Sequence, residues 1–574
     1  MSMSSNNIAN ESVAVAMVAA FRRHGVEVMF GQSIPSSVHL VAPQFSIRQI
    51  GYRTENAGGV MADAYARVSH RVGVVTAQNG PAATLLVAPL AEALKASIPV
   101  VALVQEVSRP AMDRNAFQEL DHFGLFSACA KWVRRMDLAS RVDDYVDMAF
   151  TAATTGRPGP VVLLCPYDLF NEAAGSAQER AAGRTASIDH YPLDRVSPDP
   201  VRVEQAAELL AKAERPIVIA GGGVHLSDAA EALAALQDAA SLPVATTVMG
   251  KGTVSELHPL SLGVVGYFMG TGSRTKFMRE LVTEADVVLL VGNRTNQNGT
   301  DSWSLYPRGA KFIHIDLDGN EVGRNYEALR LVGDAKLSLE ALMAALGKRD
   351  LSKRTAGRAK VEAAIADGLA RHREEAGPLL TSAASPIRPE RLMADIQAQL
   401  TPDTIVVADA SYSSIWISNY LTALHAGMRF LTPRGLAGLG WGLPMALGAK
   451  VARPNAPVIC LSGDGGFGHC WAELETSRRM GLPVVLIVLN NQVLGYQKDA
   501  ETAFFGEYTD ACEFQPVDHA AIARACGLHG VRIDNAADFA PALAAALKAD
   551  RTTVIDVMSD PNAHPPITVF EGKI

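Results

Sequence analysis

The sequence predicts an α/β fold of three consecutive doubly wound parallel-sheet domains. Three observations carry that prediction. Apolar runs of strand length alternate with helical patterns along most of the chain. Several of these runs, such as Ile98–Val104 and Pro483–Leu489, are almost continuously apolar, as strands buried on both faces of a parallel sheet must be. Two stretches break the rhythm and divide it in three: residues 171–200, small, polar and punctuated by proline, and the charged segment Lys348–Glu375. With 574 residues, 48% of them apolar and 20% charged, the chain has material for several large cores.

The first domain is expected over residues 1–180. It opens with a helix over Glu11–Arg23, followed by strands Val26–Phe30, Gly73–Thr76, Ile98–Val104 and Gly159–Cys165. The second, over residues 195–348, has strands Pro216–Ala220, Val244–Thr247, Ala285–Val291 and Lys311–Ile315. The third, over residues 385–560, has strands Thr404–Ala408, 457–461, 483–489 and Thr553–Val557. Residues 561–574 form a short tail bearing prolines. No usable sequence identity relates the three segments, only a shared rhythm.

Composition excludes several classes. A net charge of −8 leaves no basic footprint for nucleic acid. No apolar run reaches the roughly 18 residues a membrane span needs. The first dozen residues, MSMSSNNIANES, lack the apolar core of a signal peptide. Six cysteines show no CxxC spacing, and buried reduced thiols in a cytoplasmic protein are expected.

The most informative motif lies in the third segment. Gly463-Asp464-Gly465-Gly466 closes one apolar run, and Asn490-Asn491 closes the next. The segment between is long enough for one crossover helix. Neighbouring parallel strands bring their C-terminal ends side by side, so Asp464 and Asn491 should meet where α/β sheets bind ligands. Glycine lets backbone N–H groups approach a phosphate at the start of a crossover helix. A carboxylate, an amide oxygen and a diphosphate around one octahedral cation describe a Mg²⁺ site. A Gly-Asp-Gly alone is usually a turn; the paired strand end gives it chemical meaning.

The pattern resembles the thiamin diphosphate motif. Further stretches extend the resemblance: ENAGGVMADAYARVS (55–69), NGPAAT (79–84), AFQELD (116–121), GRPGPVVLLCP (156–166), GGGV (221–224), TTVMGKG (246–252), HIDLD (314–318), VGDAK (332–336) and GLAGLGWGLPMALGAK (435–450). Their joint order is similar to the acetolactate-synthase branch of the thiamin diphosphate superfamily. The resemblance implies a pyrimidine-binding domain, a central Rossmann-like domain and a diphosphate-binding domain. It implies a homodimer or homotetramer in which one chain gives Glu55 and another Asp464. It also implies decarboxylation of a 2-oxo acid or related small carbonyl substrate, with carboligation.

Roles follow residue by residue from that resemblance. Glu55 hydrogen-bonds N1′ of the aminopyrimidine, so that the coenzyme's own imino group removes the C2 proton; alone, it would read as a carboxylate at a helix start. Asp464, Asn491 and the carbonyl of Val493 bind Mg²⁺. Gly463, Gly465 and Gly466 and the loop Ala410, Ser411, Tyr412 and Ser413 contact the diphosphate side, and the run Leu494, Gly495 and Tyr496 binds the coenzyme. Leu439 wedges the two coenzyme rings into a V, and Gly438 beside it also binds the coenzyme. Phe117 and Gln118 line the substrate side. His122, His314 and His469 read as packing rather than acid–base groups. In the resembled enzymes the central domain holds FAD as a structural group; in other relatives it holds ADP or nothing. Gly221, Gly222, Gly223, Thr246, Arg294 and Asp316 are the candidate ligands there.

The sequence departs from that branch in two places. FGQSIPSSVHL (30–40) stands where a GYPGGA-type loop is usual, and Tyr496, Gln497 and Ala500 stand at positions usually held by Met, Val and Trp. A more polar, differently shaped pocket follows, so the coenzyme chemistry carries over while the branched-chain substrates do not. The alternatives are a thiamin-dependent carbon–carbon lyase, hydrolase or simple decarboxylase, acting on an acyloin, diketone or acyl-CoA. More distant is a non-catalytic nucleotide- or flavin-binding protein. A nicotinamide dehydrogenase is disfavoured because no G-x-G-x-x-G follows a strand with an acid at the right distance.

Overall fold

The computed structural model describes residues 12–175 and 184–574. The polar first eleven residues, Glu11 of the predicted first helix included, and residues 176–183 of the predicted linker lie outside the described residues. Three six-stranded sheets are present, each wholly parallel. The first holds β1 (Val28–Phe30), β2 (Arg48–Ile50), β3 (Gly73–Ala77), β4 (Val100–Glu106), β5 (Trp132–Arg135) and β6 (Val161–Pro166), in the order β2-β1-β3-β4-β6-β5. The second holds β7 (Pro216–Ala220), β8 (Val244–Thr246), β9 (Ser261–Val264), β10 (Val287–Val291), β11 (Lys311–Asp316) and β12 (Ala328–Val332), in the order β12-β11-β10-β7-β8-β9. The third holds β13 (Ile405–Ala408), β14 (Phe430–Leu431), β15 (Val458–Gly463), β16 (Val485–Asn490), β17 (His529–Ile533) and β18 (Thr553–Met558), in the order β14-β13-β15-β16-β18-β17.

The α/β doubly wound reading holds. The first and third sheets share one strand order, a repeat invisible in sequence. The central sheet has the Rossmann order, in which the first strand sits between the second and the fourth. Each sheet carries two strands the apolar runs did not reveal, and all six are edges: β2, β5, β9, β12, β14 and β17. An edge strand has one neighbour and more solvent, so it tolerates short or polar sequence. β2 is Arg48-Gln49-Ile50, and β17, His529-Gly530-Val531-Arg532-Ile533, buries only its last residue.

Two linker expectations change. Most of the charged segment is helical, within a 29-residue helix over Ser352–Leu380. The described part of 171–200 is a strap held by specific bonds: the Val72 N–H donates to the Asp189 carbonyl at 2.6 Å, and the Tyr191 hydroxyl to the Ala66 carbonyl at 2.7 Å. The tail packs too, with Ile567 and Phe570 buried in the core that lines the third sheet. No helix among the described residues is long and apolar enough to cross a membrane.

The chain divides into two compact units. One comprises the described residues up to Asp194 with Pro433–Asn455 and Cys470–Leu482; the other comprises Arg195–Thr432, Ala456–His469 and Pro483–Ile574. In the first unit the helix Gly442–Ala452 packs along the helix Glu55–Ser69. They come close at Gly448, where a β-carbon would stand 2.2 Å from the carbonyl oxygen of Met61. Gly448→Ala therefore tests packing against propensity. Helix propensity alone predicts a gain of about 1 kcal/mol; the backbone clash predicts a net loss of about 1–3 kcal/mol. The expected result is a lower first thermal midpoint, and a raised midpoint would show that the helices are not in contact there.

Candidate active site

Strand order in the third sheet reverses between β13 and β15, the place where such sheets open a crevice at their C-terminal edge. Gly463 pairs with Leu489, so Asp464 and Asn490 lie one step beyond on adjacent strands. The loops after β13, β15 and β16 are tied by side chains. Asp409, 1% exposed, accepts the Ala410 N–H at 2.8 Å and the Ser462 hydroxyl at 3.1 Å. Asp464 accepts the Gly465 N–H at 2.9 Å and the Gln492 N–H at 2.6 Å. Asn491 Oδ1 accepts the Val493 N–H at 3.3 Å. The Tyr412 hydroxyl donates to Asp499, and its ring meets Tyr496 edge-to-face at 5.6 Å. A β-carbon on Gly495 would lie 3.1 Å from the Tyr412 ring. Ala410–Ser413, Gly463–Gly466 and Asn491–Tyr496 thus form one connected constellation.

One detail differs from expectation. The crossover from β15 to β16 is not a single helix but two, Asp464–Gly468 and Glu473–Met480. His469 is exposed between them.

Asp464 is 7% exposed, and burial pushes its carboxyl up to about 6, against the pull of the Gln492 and Gly465 amides. Buried Asp556 adds to the push. Among the described residues no Lys, Arg or His pairs with Asp464. Nothing lies within 4 Å of where a β-carbon on Gly463 would stand, so there is room beside it. A dry carboxylate, an amide oxygen, a peptide carbonyl and free space suit a hard divalent cation carrying phosphate oxygens. The set fits Mg²⁺ and a diphosphate.

The remaining predicted residues belong to the first unit. Glu55 begins its helix, half-buried, and burial raises its carboxyl. Thr54 caps that helix by accepting the Ala57 N–H at 3.3 Å. Gln118 meets the turn after β3: its Oε1 accepts from Gln78 at 2.8 Å, and Asn79 donates to the carbonyls of Phe117 and Gln118 at 3.2 and 3.0 Å. Phe117 is 84% exposed. The Gly80 N–H donates to His122 Nε2 at 3.1 Å, which leaves Nδ1–H to face Glu106; His122 is a fixed support. Leu439 is half-buried on a loop bound by buried Glu92, which accepts the Gly435 and Leu436 amides. Gly438 packs on the Trp441 ring, whose N–H reaches Asn56 at 2.8 Å. Non-glycine residues take left-handed backbone on four of these loops, at Gln118, Ser411, Ala437 and Gln492. Each costs on the order of 1–3 kcal/mol, strain of the kind that functional loops retain.

The central sheet reverses between β7 and β10. Gly221 lies against the next loop so closely that a β-carbon would stand 2.2 Å from the Gly292 carbonyl. Thr246 Oγ1, at the end of β8, and Asn293 Nδ2, after β10, are buried with no hydrogen-bond partner among the described residues. Asp316 ends β11, and burial lifts its carboxyl to about 6, with Arg294 drawing it down. Orphaned polar atoms at a strand-order reversal fit a nucleotide. Sequence reasoning missed Asn293, Asp409, Glu92, Glu473 and Asp499; Asp409, an acid closing an apolar strand, was the one with a visible signal.

Three family models match the chain. Residues 11–125 match "Thiamine pyrophosphate enzyme, N-terminal TPP binding domain", residues 203–342 the central domain of the same enzymes, and residues 409–557 their C-terminal TPP binding domain. A "Probable acetolactate synthase large subunit" of Methanococcus aeolicus is 32% identical over 564 residues, 96% of this chain and 92% of that protein. The acetolactate synthase large subunit of Parasynechococcus marenigrum is 32% identical, over 95% of this chain and 87% of its own. The acetolactate synthase isozyme 2 large subunit of Escherichia coli is 31% identical, over 95% of each.

The burial of Asp464 has a measurable sign. Its folded pKa of about 6 lies above the ordinary 3.8, so without metal its contribution to stability is full below about pH 4 and is lost as pH rises through 6. Metal-free Asp464→Asn should therefore gain on the wild-type chain between pH 4 and 7, by up to about 3 kcal/mol. Adding Mg²⁺ with thiamin diphosphate should stabilise only the wild type. A gap that does not change with pH would mean that Asp464 is not buried as an uncompensated acid.

Proposed function

The chain belongs to the thiamine pyrophosphate enzymes, and on that premise we propose that it is a carboligase that decarboxylates a 2-oxo acid or related carbonyl donor. The donor loses carbon dioxide, its acyl carbon forms a bond to the carbonyl carbon of an acceptor, and the proton ends on the acceptor oxygen. The product is a hydroxyketone or acetohydroxy acid. The observation that carries this reading is the buried Asp464 beside Asn491 at the reversal of the third sheet, inside the match to the C-terminal coenzyme-binding domain.

Thiamin diphosphate, when bound, supplies the nucleophilic carbon and the electron sink that such a decarboxylation needs. The chain's residues do the rest. Asp464, Asn491 and the Val493 carbonyl hold Mg²⁺ and, through it, the diphosphate; Ala410, Ser411 and Ser413 offer amides and hydroxyls. Glu55 holds a proton at the pyrimidine nitrogen N1′. Its raised pKa, caused by burial, brings the two partners closer in basicity. Leu439 props the rings, and Gln118 orients the substrate carbonyl. Tyr496, packed between Tyr412 and Phe570, and Gln497, exposed and bonded to Glu501, support a more polar substrate than a branched-chain precursor.

The same reading places Glu55 of one chain beside Asp464 of a second. Exposed apolar side chains support such an assembly: Phe117 and Leu436 in one unit, Phe504 and Phe505 in the other. For the central domain, the orphaned Thr246 and Asn293 with Gly221–Gly223, Arg294 and Asp316 support FAD held as a structural group. Purified protein should then show flavin absorption, and a colourless, fully active enzyme would remove FAD from the account.

The direct test of the activity is a panel of 2-oxo acids, acyloins and cyclic diketones with Mg²⁺ and thiamin diphosphate, the products being identified by mass. Carbon dioxide with a carboligated product is expected from a 2-oxo acid. Turnover of acyloins or diketones alone would make the protein a lyase or hydrolase instead. Glu55→Gln should slow turnover by about 10²–10⁴-fold, and an unchanged rate would remove Glu55 from the mechanism.

A further inference from the structure

Glu473 stands nine residues past Asp464 in sequence, yet every bond of its carboxylate serves the immediate neighbourhood of its own short helix and the turn before Glu55. It is 1% exposed. Its Oε1 accepts the N–H groups of Arg53 and Thr54, both at 3.1 Å. Its Oε2 accepts the Arg53 N–H at 3.2 Å and the Thr476 hydroxyl at 2.7 Å. Among the described residues no cation neutralises it by direct contact: the Arg53 guanidinium lies at 3.9 Å from Glu475 instead. The same helix holds the start of the turn, where the Gly51 N–H faces Met480 Sδ at 3.4 Å and Arg479 donates to the Gly51 carbonyl at 3.1 Å. From the other side Tyr52 donates to the Thr76 carbonyl at 2.6 Å. Arg53 and Thr54 are themselves exposed, so burial of their own side chains does not fix the turn.

We propose that Glu473 is a positioning residue for Glu55: by gripping the two amides that precede it, Glu473 sets where the Glu55 carboxyl stands. The proposal rests on the assignment of Glu55 made above. A carboxylate suits this task because it offers acceptors on both oxygens to fixed N–H donors, and charge-assisted bonds are short and directional. A carboxyl displaced by about 1 Å from its reacting partner loses on the order of 10² in rate. An apolar side chain of similar volume would keep the fold at lower desolvation cost but leave both amides unmet.

The test uses Glu473→Gln, which keeps shape, and Glu473→Asp, which keeps charge one methylene shorter, in the full-length protein. Three quantities are read: exchange of the thiamin diphosphate C2 proton in the holoenzyme, the coenzyme Kd with Mg²⁺, and hydrogen exchange of the peptide carrying the Arg53 and Thr54 amides in coenzyme-free protein. For Glu473→Gln the C2 exchange should fall by about tenfold or more with the Kd within about threefold of wild type. The amides should lose protection, and Glu473→Asp should recover part of both. C2 exchange at the wild-type rate in Glu473→Gln, or unaltered amide protection, would overturn the proposal. Glu55→Gln run alongside separates the two assignments. If it exchanges normally, the role of Glu55 falls and this proposal with it; if it is silent while Glu473→Gln is normal, only the positioning role falls.

Discussion

Parallel strands can be joined only by crossovers, and in each of the three sheets those crossovers set off in opposite directions from one point. The chemistry of the molecule is placed by that constraint. Where strand order reverses, the loops on either side part, and a crevice lined by peptide groups remains at the C-terminal edge. The reversal between β13 and β15 puts Asp409 and Asp464 on facing loops. The one between β7 and β10 puts Gly221 against Gly292. Topology alone, with no sequence identity between the sheets, delivers equivalent crevices in both. The first sheet follows the strand order of the third, and its reversal, between β1 and β3, carries Asn79 and the anchored Gln118.

Buried carboxylates then turn crevices into sites. Asp409 ties the loop after β13 to the end of β15, Glu92 holds the peptide amides ahead of Leu439, and Glu473 holds those ahead of Glu55. Each spends desolvation free energy that an apolar residue would not. Each in return fixes a backbone segment beside a candidate site residue. Glu92 has a counter-charge in Arg67, itself bonded to Asp63 at 2.6 Å, while Asp464 and Glu473 have none in contact among the described residues. Asp464 differs further, for under the proposed function its partner is the cation of the coenzyme complex. Burial raises its carboxyl, and metal binding there would offset that cost at neutral pH.

What could be read in the sequence follows the same physics. Central strands such as Val485–Asn490 are buried on both faces and announce themselves as apolar runs. Edge strands such as Trp132–Arg135 are half solvated and do not. Asp464 and Asn491 were legible because each closes a buried run, so a polar residue there stands out. Glu55 was legible only through its resemblance to a family, since a carboxylate at a helix start is ordinary. Glu473 and Glu92 could not be found at all: their partners lie more than three hundred residues away in the chain, and a lone glutamate on a helix carries no pattern. The two-helix crossover escaped for a different reason, because its small and aromatic residues break no apolar period.

The claim on which the account turns is that three oxygens from neighbouring strand ends hold one divalent cation and, through it, the coenzyme's diphosphate. Anomalous diffraction from crystals grown with Mn²⁺ in place of Mg²⁺ and thiamin diphosphate measures this directly. The account predicts one manganese peak about 2.1 Å from the Asp464 carboxylate, the Asn491 amide oxygen and the Val493 carbonyl. A peak elsewhere, or coenzyme density away from the reversal of the third sheet, would contradict it.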